Sequence, residues 1–350
     1  MTNERTTSTE RGRIRISGFD PERVTEREPL SGWTEETGGE TQSRWKRAFT
    51  RFKRNRTALI GLSVVGLLTL LTVFARPIVI MGVTVQPFGL APHDPGTILY
   101  MQDPSISTWD APSWAHPMGV DGNGRDMFSR VLYGGRYSIS IGFVVVALTA
   151  SFGLIYGAIS GYYGGWTDEI MMRVVDTIYA FPGLILALIV IATLGRGYWQ
   201  LVLAFSLFGW VTYGRLIRGE VLKIKENEYV LAAKALGARD RSIIFRHIAP
   251  NAMPPLIVLA SLNIGTVVIG VAALGFLGLG MPPGSAEWGT MLDQTRDTLI
   301  QPPGGSIPWW ATVYPGAAIF LFVMAMNMIG DGINDALDAQ ETGVEQQGGG

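Results

Sequence analysis

The sequence predicts an all-α membrane protein with six transmembrane helices. Six long stretches lack Asp, Glu, Lys and Arg, and each approaches or exceeds the roughly 20 residues that cross a hydrocarbon core of about 30 Å. They are residues 57–75, 137–167, 177–195, 197–214, 248–286 and 298–330. Hydrophobic residues make up 47% of the 350-residue chain and charged residues only 16%, which is typical of a protein that crosses the membrane several times.

A polar tail and a basic flank precede the first apolar stretch. Residues 1–43 are poor in apolar side chains, a composition that predicts a disordered cytoplasmic tail. They contain no apolar segment typical of a cleavable signal peptide, so the first span is expected to direct its own insertion. Residues 44–76 combine this span with a basic cluster. The cluster comprises Arg44, Lys46, Arg47, Arg51, Lys53, Arg54 and Arg56.

A second basic cluster, in residues 215–246, sets the predicted orientation together with the first. Lys and Arg concentrate in the cytoplasmic loops of membrane proteins. With six spans, both clusters and both termini are therefore expected in the cytoplasm. The first cluster could instead bind nucleic acid or anionic lipid. Its position beside a span favours the topological role, and we expect no nucleic-acid partner.

Residues 77–135 are predicted to form an external loop that covers part of the outer face. Oxygen-bearing side chains alternate in residues 121–126, as in calcium-binding loops. However, Arg125 stands at the fifth position and Leu132 at the twelfth, where a glutamate is required, so we expect no metal site. An interfacial helix is predicted instead. Its apolar face would hold Met127, Phe128, Val131 and Leu132, opposite Arg125, Asp126 and Arg130.

Residues 136–337 are predicted to form a core of five helices. Gly153, Gly157 and Gly161 recur every four residues and indicate close helix packing. Pro182 is expected to loosen the start of the third span, and residues 194–197 predict a tight hairpin before the fourth. The fifth helix is expected to stop at residues 280–284, with a loop up to residue 300. Residues 338–350 predict a second disordered tail.

Two polar residues near the membrane are candidates for a translocation pathway. Asp176 lies at the predicted cytoplasmic end of the third span, where an ion pair with Arg173 is the simpler explanation. Asn263 lies within the fifth span and could line a polar path, although a hydrogen bond to a neighbouring helix is favoured.

The sequence carries no recognisable motif for catalysis or metal binding. Phosphate-binding loops, zinc-protease motifs and serine nucleophile elbows are missing, and there is no cysteine. His93, His116 and His247 are far apart in sequence. We therefore predict no catalytic residue, no metal site and no cofactor held by this chain. Uphill transport would need an ion gradient or an ATPase on another chain.

Residues 228–255 form a basic, alanine-rich stretch between two apolar ones and are too charged to cross a membrane. Gly237 is expected to end one helix, and Asp240 to cap a second that reaches Ile248 before Pro250 stops it. The first helix would present one face to a partner outside the membrane. That face comprises Tyr229, Ala232, Ala233 and Leu236.

The same stretch resembles the EAA motif of ATP-binding cassette importer permeases. The sequence AAKALG at 232–237 is followed by Pro250, thirteen residues after the glycine. Further segments resemble the dipeptide/oligopeptide/nickel permease family over roughly residues 44–338. They are HPMGVD at 116–121, GRDMFSR at 124–130, YGGR at 133–136, GYYGG at 161–165, AFP at 180–182 and GDGINDALD at 330–338. Leu231 and Ala249 depart from the motif, which usually has Glu and Leu there.

The resemblance implies a multi-pass subunit of the cytoplasmic membrane with the type I importer fold. Its coupling loop, residues 215–252, would dock on an ATPase. The implied coupling residues are Glu228, Ala232, Ala233, Gly237, Ala238, Asp240 and Pro250. The implied partners are a homologous second permease, two ATPase subunits that hold ATP and Mg, an external solute-binding protein and membrane lipid. Di- or oligopeptides are the expected solutes, with nickel chelates or oligosaccharides as alternatives.

Two other classes of protein fit the sequence less well. An ion-coupled secondary transporter or channel should show functional carboxylates at membrane depth, or inverted repeats of broken helices. An intramembrane enzyme should show a nucleophile or a metal-binding cluster. Neither pattern is evident in the sequence.

Overall fold

The computed structural model describes residues 44–80, 83–86 and 89–338. Apart from Asp338, both predicted tails lie outside this set. The chain divides into two units, Met1–Lys46 and Arg47–Gly350. The helices are α1 (Arg44–Phe52), α2 (Arg56–Val73), α3 (Met127–Tyr163), α4 (Gly165–Tyr179), α5 (Gly183–Leu194), α6 (Tyr198–Ile224), α7 (Glu228–Ala235), α8 (Asp240–Ser242), α9 (Ala249–Phe276), α10 (Trp288–Ile300) and α11 (Trp309–Asp338).

Short elements complete the described part of the chain. Strands β1 (Ile78–Ile80) and β2 (Val83–Gln86) form an antiparallel hairpin, with Ile80 opposite Val83. Single 3₁₀ turns lie at Leu99–Met101 and Pro303–Gly305, and a π-helical turn at Ile243–Ile248 joins α8 to α9. Besides this small hairpin, an isolated antiparallel bridge joins Val120 and Asp126.

Five helical segments are long and apolar enough to cross a membrane, and a bent pair brings the number to as many as six. The five are α2, α3, α6, the continuous segment Asp240–Phe276, and α11. The bent pair is α4 and α5, which meet at an angle of 80°. The predicted all-α membrane fold is therefore confirmed, but the third span is a broken helix.

The break between α4 and α5 lies at residues 180–182, where the sequence reads Ala-Phe-Pro. Pro182 has an extended backbone (φ −61°, ψ 124°) and stands at the N-cap of α5. Proline has no N–H to donate, and its ring clashes with the preceding turn of a continuous helix. Pro182 therefore cannot continue α4, but it is well suited to the start of α5. With 12 residues, α5 is about 18 Å long, shorter than a hydrocarbon core of about 30 Å.

Helices α3 and α6 pack along the glycine row that the sequence indicated. A Cβ atom on Gly153 would lie 2.9 Å from the Trp210 carbonyl oxygen, and one on Gly161 would lie 3.0 Å from that of Arg218. A Cβ on Gly157 would overlap the carbonyl oxygen of Gly214. These backbones therefore approach more closely than any side chain would permit, which confirms the packing role.

The predicted interfacial helix is wrong, because α3 begins at Met127 and continues to Tyr163 without a break. Asp126 is its N-cap, and the Asp126 carboxylate accepts the Ser129 N–H at 2.8 Å. The predicted polar face is not solvated either, since Arg125, Asp126 and Arg130 are all buried. A turn that ends directly in a transmembrane helix has the same local sequence pattern as a separate amphipathic helix.

The region after the fifth span also differs from the prediction. Helix α9 already ends at Phe276, because Gly278 (φ +72°) closes it and the Leu279 N–H donates to the Leu274 carbonyl at 2.8 Å. Residues 288–300, predicted as loop, form α10. Its N-cap is Glu287, whose carboxylate accepts N–H groups from the first turn. Glu is not a usual N-cap residue, so the flanking prolines are the stronger local signal and predict a loop.

Candidate functional site

Helix α7 projects from the membrane part with most of its surface uncovered. We name residues 225–248, which contain it, the hinged loop. Val230 is its buried anchor at 2% exposure and joins the main apolar core. Leu236 is 89% exposed, and Tyr229 and Leu231 are exposed as well. Clustered exposed apolar side chains on a water-facing element indicate a surface that a partner covers.

The predicted coupling residues lie on this surface or close to it. Glu228 begins α7, Ala232 is exposed, and Ala233 is half-buried. Ala238 packs against the main apolar core just after the bend. The small alanine side chains leave the backbone of α7 accessible to a neighbouring molecule.

The bend of the hinged loop is formed by Gly237, which has a φ of +79°. The Gly237 N–H donates to the Lys234 carbonyl at 3.0 Å, and the Ala238 N–H donates to the Ala233 carbonyl at 3.1 Å. These two bonds close the helix in a Schellman motif, which favours glycine at the left-handed position. The predicted helix end at Gly237 is thus confirmed.

The second half of the hinged loop differs from the prediction at Asp240 and Pro250. Arg239 occupies the N-cap of α8, and Asp240 is already inside the helix. Pro250 does not stop the helix, since it lies in the first turn of α9. The preceding π-helical turn widens the backbone, and the Ala249 N–H donates to the Ile244 carbonyl. A proline in a first turn needs no N–H partner.

Two polar contacts hold the hinged loop to the end of α3. The Tyr162 hydroxyl donates to Asp240 Oδ1 at 2.7 Å. The Lys225 ammonium donates to the Gly161 carbonyl at 2.9 Å. A cation at the C-terminal end of a helix also interacts favourably with the helix dipole.

Helix α4 is held along α6 by three polar contacts. Asp168 accepts two hydrogen bonds from Arg218, both 2.5 Å long. Asp176 pairs with Arg215 at 2.5 Å. The expected Asp176–Arg173 pair is wrong, because Arg173 instead contacts Glu169 at 3.4 Å. The third contact joins the Tyr179 and Thr212 hydroxyls at 2.9 Å.

A cavity of about 360 Å³ lies beside the break between α4 and α5. Phe181 borders it from the break, Phe208 and Thr212 from α6, and Thr266 from α9. The lining is mainly apolar with a few hydroxyl groups, so the cavity could hold a molecule with both apolar and polar parts.

The two predicted pathway residues are not among the described residues that line this cavity. The Asn263 amide donates to the Tyr213 hydroxyl at 3.0 Å, so it connects α9 to α6. Asp176 is held by Arg215, as described above. Their role in a translocation pathway remains a prediction.

The loop before α3 and the segment before α10 are joined by a buried ionic cluster that the sequence analysis missed. The Arg130 side chain is 0% exposed and donates to the carbonyls of Pro95 (2.9 Å) and Ser285 (3.1 Å). Arg130 Nε lies 3.3 Å from Asp121 Oδ2, close enough for charge attraction although the atoms do not form a hydrogen bond. Arg125 donates to Asp121 at 2.9 Å and to Gln294 at 3.0 Å.

Glu287 is a second buried ionisable residue that the sequence analysis did not single out. Its carboxylate accepts hydrogen bonds from the Ser138 hydroxyl at 2.9 Å and from the Thr290 N–H at 2.8 Å. The side chain therefore caps α10 and attaches it to α3. Glu is not one of the usual N-cap residues, which are Ser, Thr, Asp and Asn, so no strong local pattern marked this position.

The fold brings together two histidines that are separated in sequence. The rings of His93 and His116 lie 5.7 Å apart, and His116 Nδ1 lies 3.0 Å from Asp126 Oδ1. Within the described part of the chain, no group of three or more His, Asp or Glu residues is arranged to hold a metal ion.

Comparison with known proteins relates this architecture to a family. Residues 153–342 match the family described as binding-protein-dependent transport system inner membrane component. Residues 43–107 match the N-terminal TM domain of oligopeptide transport permease C. The chain is 38% identical to a dipeptide transport system permease protein of Alkalihalophilus pseudofirmus over 296 residues, which cover 85% of this chain and 90% of the relative.

Two further relatives show similar agreement. An oligopeptide transport system permease protein of Bacillus subtilis is 36% identical, covering 88% of this chain and 93% of the relative. A glutathione transport system permease protein of Shigella dysenteriae is 36% identical, and the match covers 85% of this chain and 91% of the relative. Since the family match covers residues 153–342 and these relatives are at least 36% identical over most of both chains, the chain belongs to the family of binding-protein-dependent transport system inner membrane components.

Proposed function

We propose that this chain is a permease subunit of an ATP-binding cassette importer that carries short peptides across the cytoplasmic membrane. The observation that carries the proposal is the exposed hinged loop on a bundle of transmembrane helices. An exposed apolar surface on a short, rigid helix is suited to docking in a groove of a water-soluble partner. That partner is the ATPase subunit, and hydrolysis of ATP with Mg²⁺ takes place there.

The complete transporter contains this chain, a homologous second permease, two ATPase subunits and an external solute-binding protein. The hinged loop and both termini face the cytoplasm, while the segment before α3 faces outward. The positive charge around the hinged loop supports this orientation. ATP-driven movement of the ATPase subunits shifts the equilibrium between inward- and outward-open arrangements of the helices.

The cavity beside the α4–α5 break is this chain's share of the solute pathway. Its mixture of aromatic, aliphatic and hydroxyl groups suits a solute with amide groups and variable side chains. The peptide assignment is supported by the relatives, whose names specify dipeptide, oligopeptide and glutathione transport. The binding protein provides most of the selectivity, because a closed pocket can read the peptide termini more strictly than an open path.

Uptake of labelled di- and oligopeptides by the parent strain and by a strain deleted for this gene tests the proposal. We expect the deletion to abolish binding-protein-dependent peptide uptake, and the wild-type gene to restore it. Uptake of a free amino acid by an unrelated carrier serves as the control. Equal peptide uptake in both strains, with loss of nickel or oligosaccharide uptake in the deletion, would reassign the solute and leave the importer architecture in place.

A further inference from the structure

The last turn of α3 lies against the hinged loop. Tyr162 packs on the apolar core cluster that contains Val230, Ile243 and Ile244 of the loop. Its hydroxyl reaches Asp240 Oδ1 at 2.7 Å. The Tyr162 side chain is therefore bonded to the loop beyond the Gly237 bend by a charge-assisted hydrogen bond, and it packs on the same apolar core that buries Val230 before the bend.

The chain just beyond Tyr162 turns sharply into α4. Gly164 and Gly165 have φ values of +65° and +52°, a conformation that residues with a Cβ atom rarely adopt. No atom lies within 4 Å of a Cβ placed on Gly165, so this turn is not restrained by side-chain packing there. The end of α3 is thus connected through a glycine turn to the helix that leads to the α4–α5 break.

Two structural facts distinguish Tyr162 from its neighbour Tyr163. Tyr162 is half-buried and bonded to Asp240, whereas Tyr163 is exposed and contacts Tyr162 edge-on at 5.3 Å between ring centroids. The two residues have the same side chain and adjacent positions. Comparing Tyr162→Phe with Tyr163→Phe therefore separates the effect of losing the hydrogen bond from the effect of removing any hydroxyl at this helix end.

We infer that Tyr162 and Asp240 are positioning residues that transmit movement of the hinged loop to the end of α3 and, through the Gly164–Gly165 turn, to α4. The inference rests on the proposed function, since it assigns a route for the movement that the ATPase subunits impose on the loop. Without the hydrogen bond, the apolar contact at Val230 still holds the first half of the loop. The second half, beyond Gly237, is then joined to α3 only through the apolar core that contains Ile243 and Ile244, so its movement displaces the end of α3 less.

The hydrogen bond between Tyr162 and Asp240 can be tested on the purified chain in lipid nanodiscs, without partner subunits. Amide hydrogen exchange in residues 236–243 is expected to become faster in Tyr162→Phe and in Asp240→Ala, neither of which can form the hydrogen bond. The double variant should match the single ones, because both substitutions remove the same bond. The control Tyr163→Phe should exchange like wild type. Unchanged exchange in both single variants would overturn the inference.

The consequence for transport can be tested in the complete transporter, reconstituted with its ATPase subunits and loaded binding protein. We expect Tyr162→Phe to retain the ATPase subunits but to import several-fold less peptide per ATP hydrolysed. If Tyr162→Phe imports as much peptide per ATP hydrolysed as the wild-type chain does, the inference is also overturned. If the wild-type chain neither retains an ATPase subunit nor supports peptide import, the proposed function itself is contradicted and the inference fails with it.

Discussion

Gly237 is the residue at which backbone geometry most directly limits the choice of side chain. Its φ of +79° is left-handed, yet a Cβ atom there would meet nothing within 4 Å. A substitution is therefore opposed by backbone strain of about 1–2 kcal/mol and not by a steric clash with neighbours. The strain would alter the angle between the two halves of the hinged loop.

We predict that Gly237→Val inserts into the membrane normally but lowers binding-protein-stimulated ATP hydrolysis and uptake by the assembled transporter. Gly219→Val is the matched control, because a Cβ at Gly219 also meets nothing within 4 Å while that residue lies inside α6 with ordinary helical φ. Stimulated hydrolysis equal to wild type in Gly237→Val would count against the coupling role of the bend.

Arg130 shows how one buried charge can hold several segments. Its guanidinium lies beside Asp121 and donates to backbone carbonyls on both sides, at Pro95 and Ser285. Removing one partner of a buried ion pair costs about 3–5 kcal/mol, because the other charge stays buried without compensation.

We predict that Arg130→Met lowers the thermal unfolding midpoint of the purified protein by several degrees. Arg296→Met should have little effect, since Arg296 is half-exposed and its carboxylate contacts are as long as 3.7 and 3.9 Å. Scanning fluorimetry in detergent measures both variants under one set of conditions. Equal midpoints for the two variants would show that the Arg130 cluster does not stabilise the fold.

At the scale of elements, the contact between α3 and α6 depends on backbone proximity. A Cβ on Gly157 would overlap the Gly214 carbonyl oxygen and lie 2.9 Å from the Arg218 nitrogen, both backbone atoms. Backbone atoms of a packed helix cannot move aside as a flexible side chain can. Inserting a methyl group would therefore force the helices apart, at a cost of about 1–3 kcal/mol.

We predict that Gly157→Ala reduces both the thermal midpoint and the transport rate. Gly66→Ala in α2 is the control, since a Cβ there meets nothing within 4 Å. Alanine is also more favourable than glycine inside a helix by about 1 kcal/mol, so the control variant should be as stable as wild type or slightly more stable. A neutral Gly157→Ala would mean that α3 and α6 can separate without loss of stability.

For the whole molecule, the orientation in the membrane is the property that decides how the parts act together. The chain contains no cysteine, so single cysteines can be introduced without a background signal. Position 114 is a suitable labelling site for the expected external side, because Trp114 is fully exposed. Position 227 is a suitable labelling site for the expected cytoplasmic side, because Asn227 is exposed just before α7.

We predict that an impermeant thiol reagent labels Trp114→Cys in intact cells and labels Asn227→Cys only after the cells are permeabilised. The reason is the cationic cluster around the hinged loop, which favours the cytoplasmic side. Labelling of both positions after permeabilisation controls for reactivity. Strong labelling of Asn227→Cys in intact cells would reverse the proposed orientation and remove the ATPase docking role of the hinged loop.

The sequence by itself determined the features that depend on local chemistry. Uncharged runs of about 20 residues identified the membrane helices, because lipid excludes charge along a whole segment. Gly237 identified the bend, since few other residues tolerate a left-handed backbone. The glycine row at Gly153, Gly157 and Gly161 identified a helix contact surface. Each of these can be inferred without knowing the neighbours in space.

Only the tertiary structure decided which distant groups meet. Asp176 was expected to pair with Arg173, one turn earlier, but the fold places Arg215 of α6 beside it. Arg130 was expected on the polar face of an interfacial helix and is buried, because the segment before α10 folds over it. Local spacing determines which residues share a helix face. The partner of a charge depends on helix packing across tens of residues, which no local pattern in one sequence specifies.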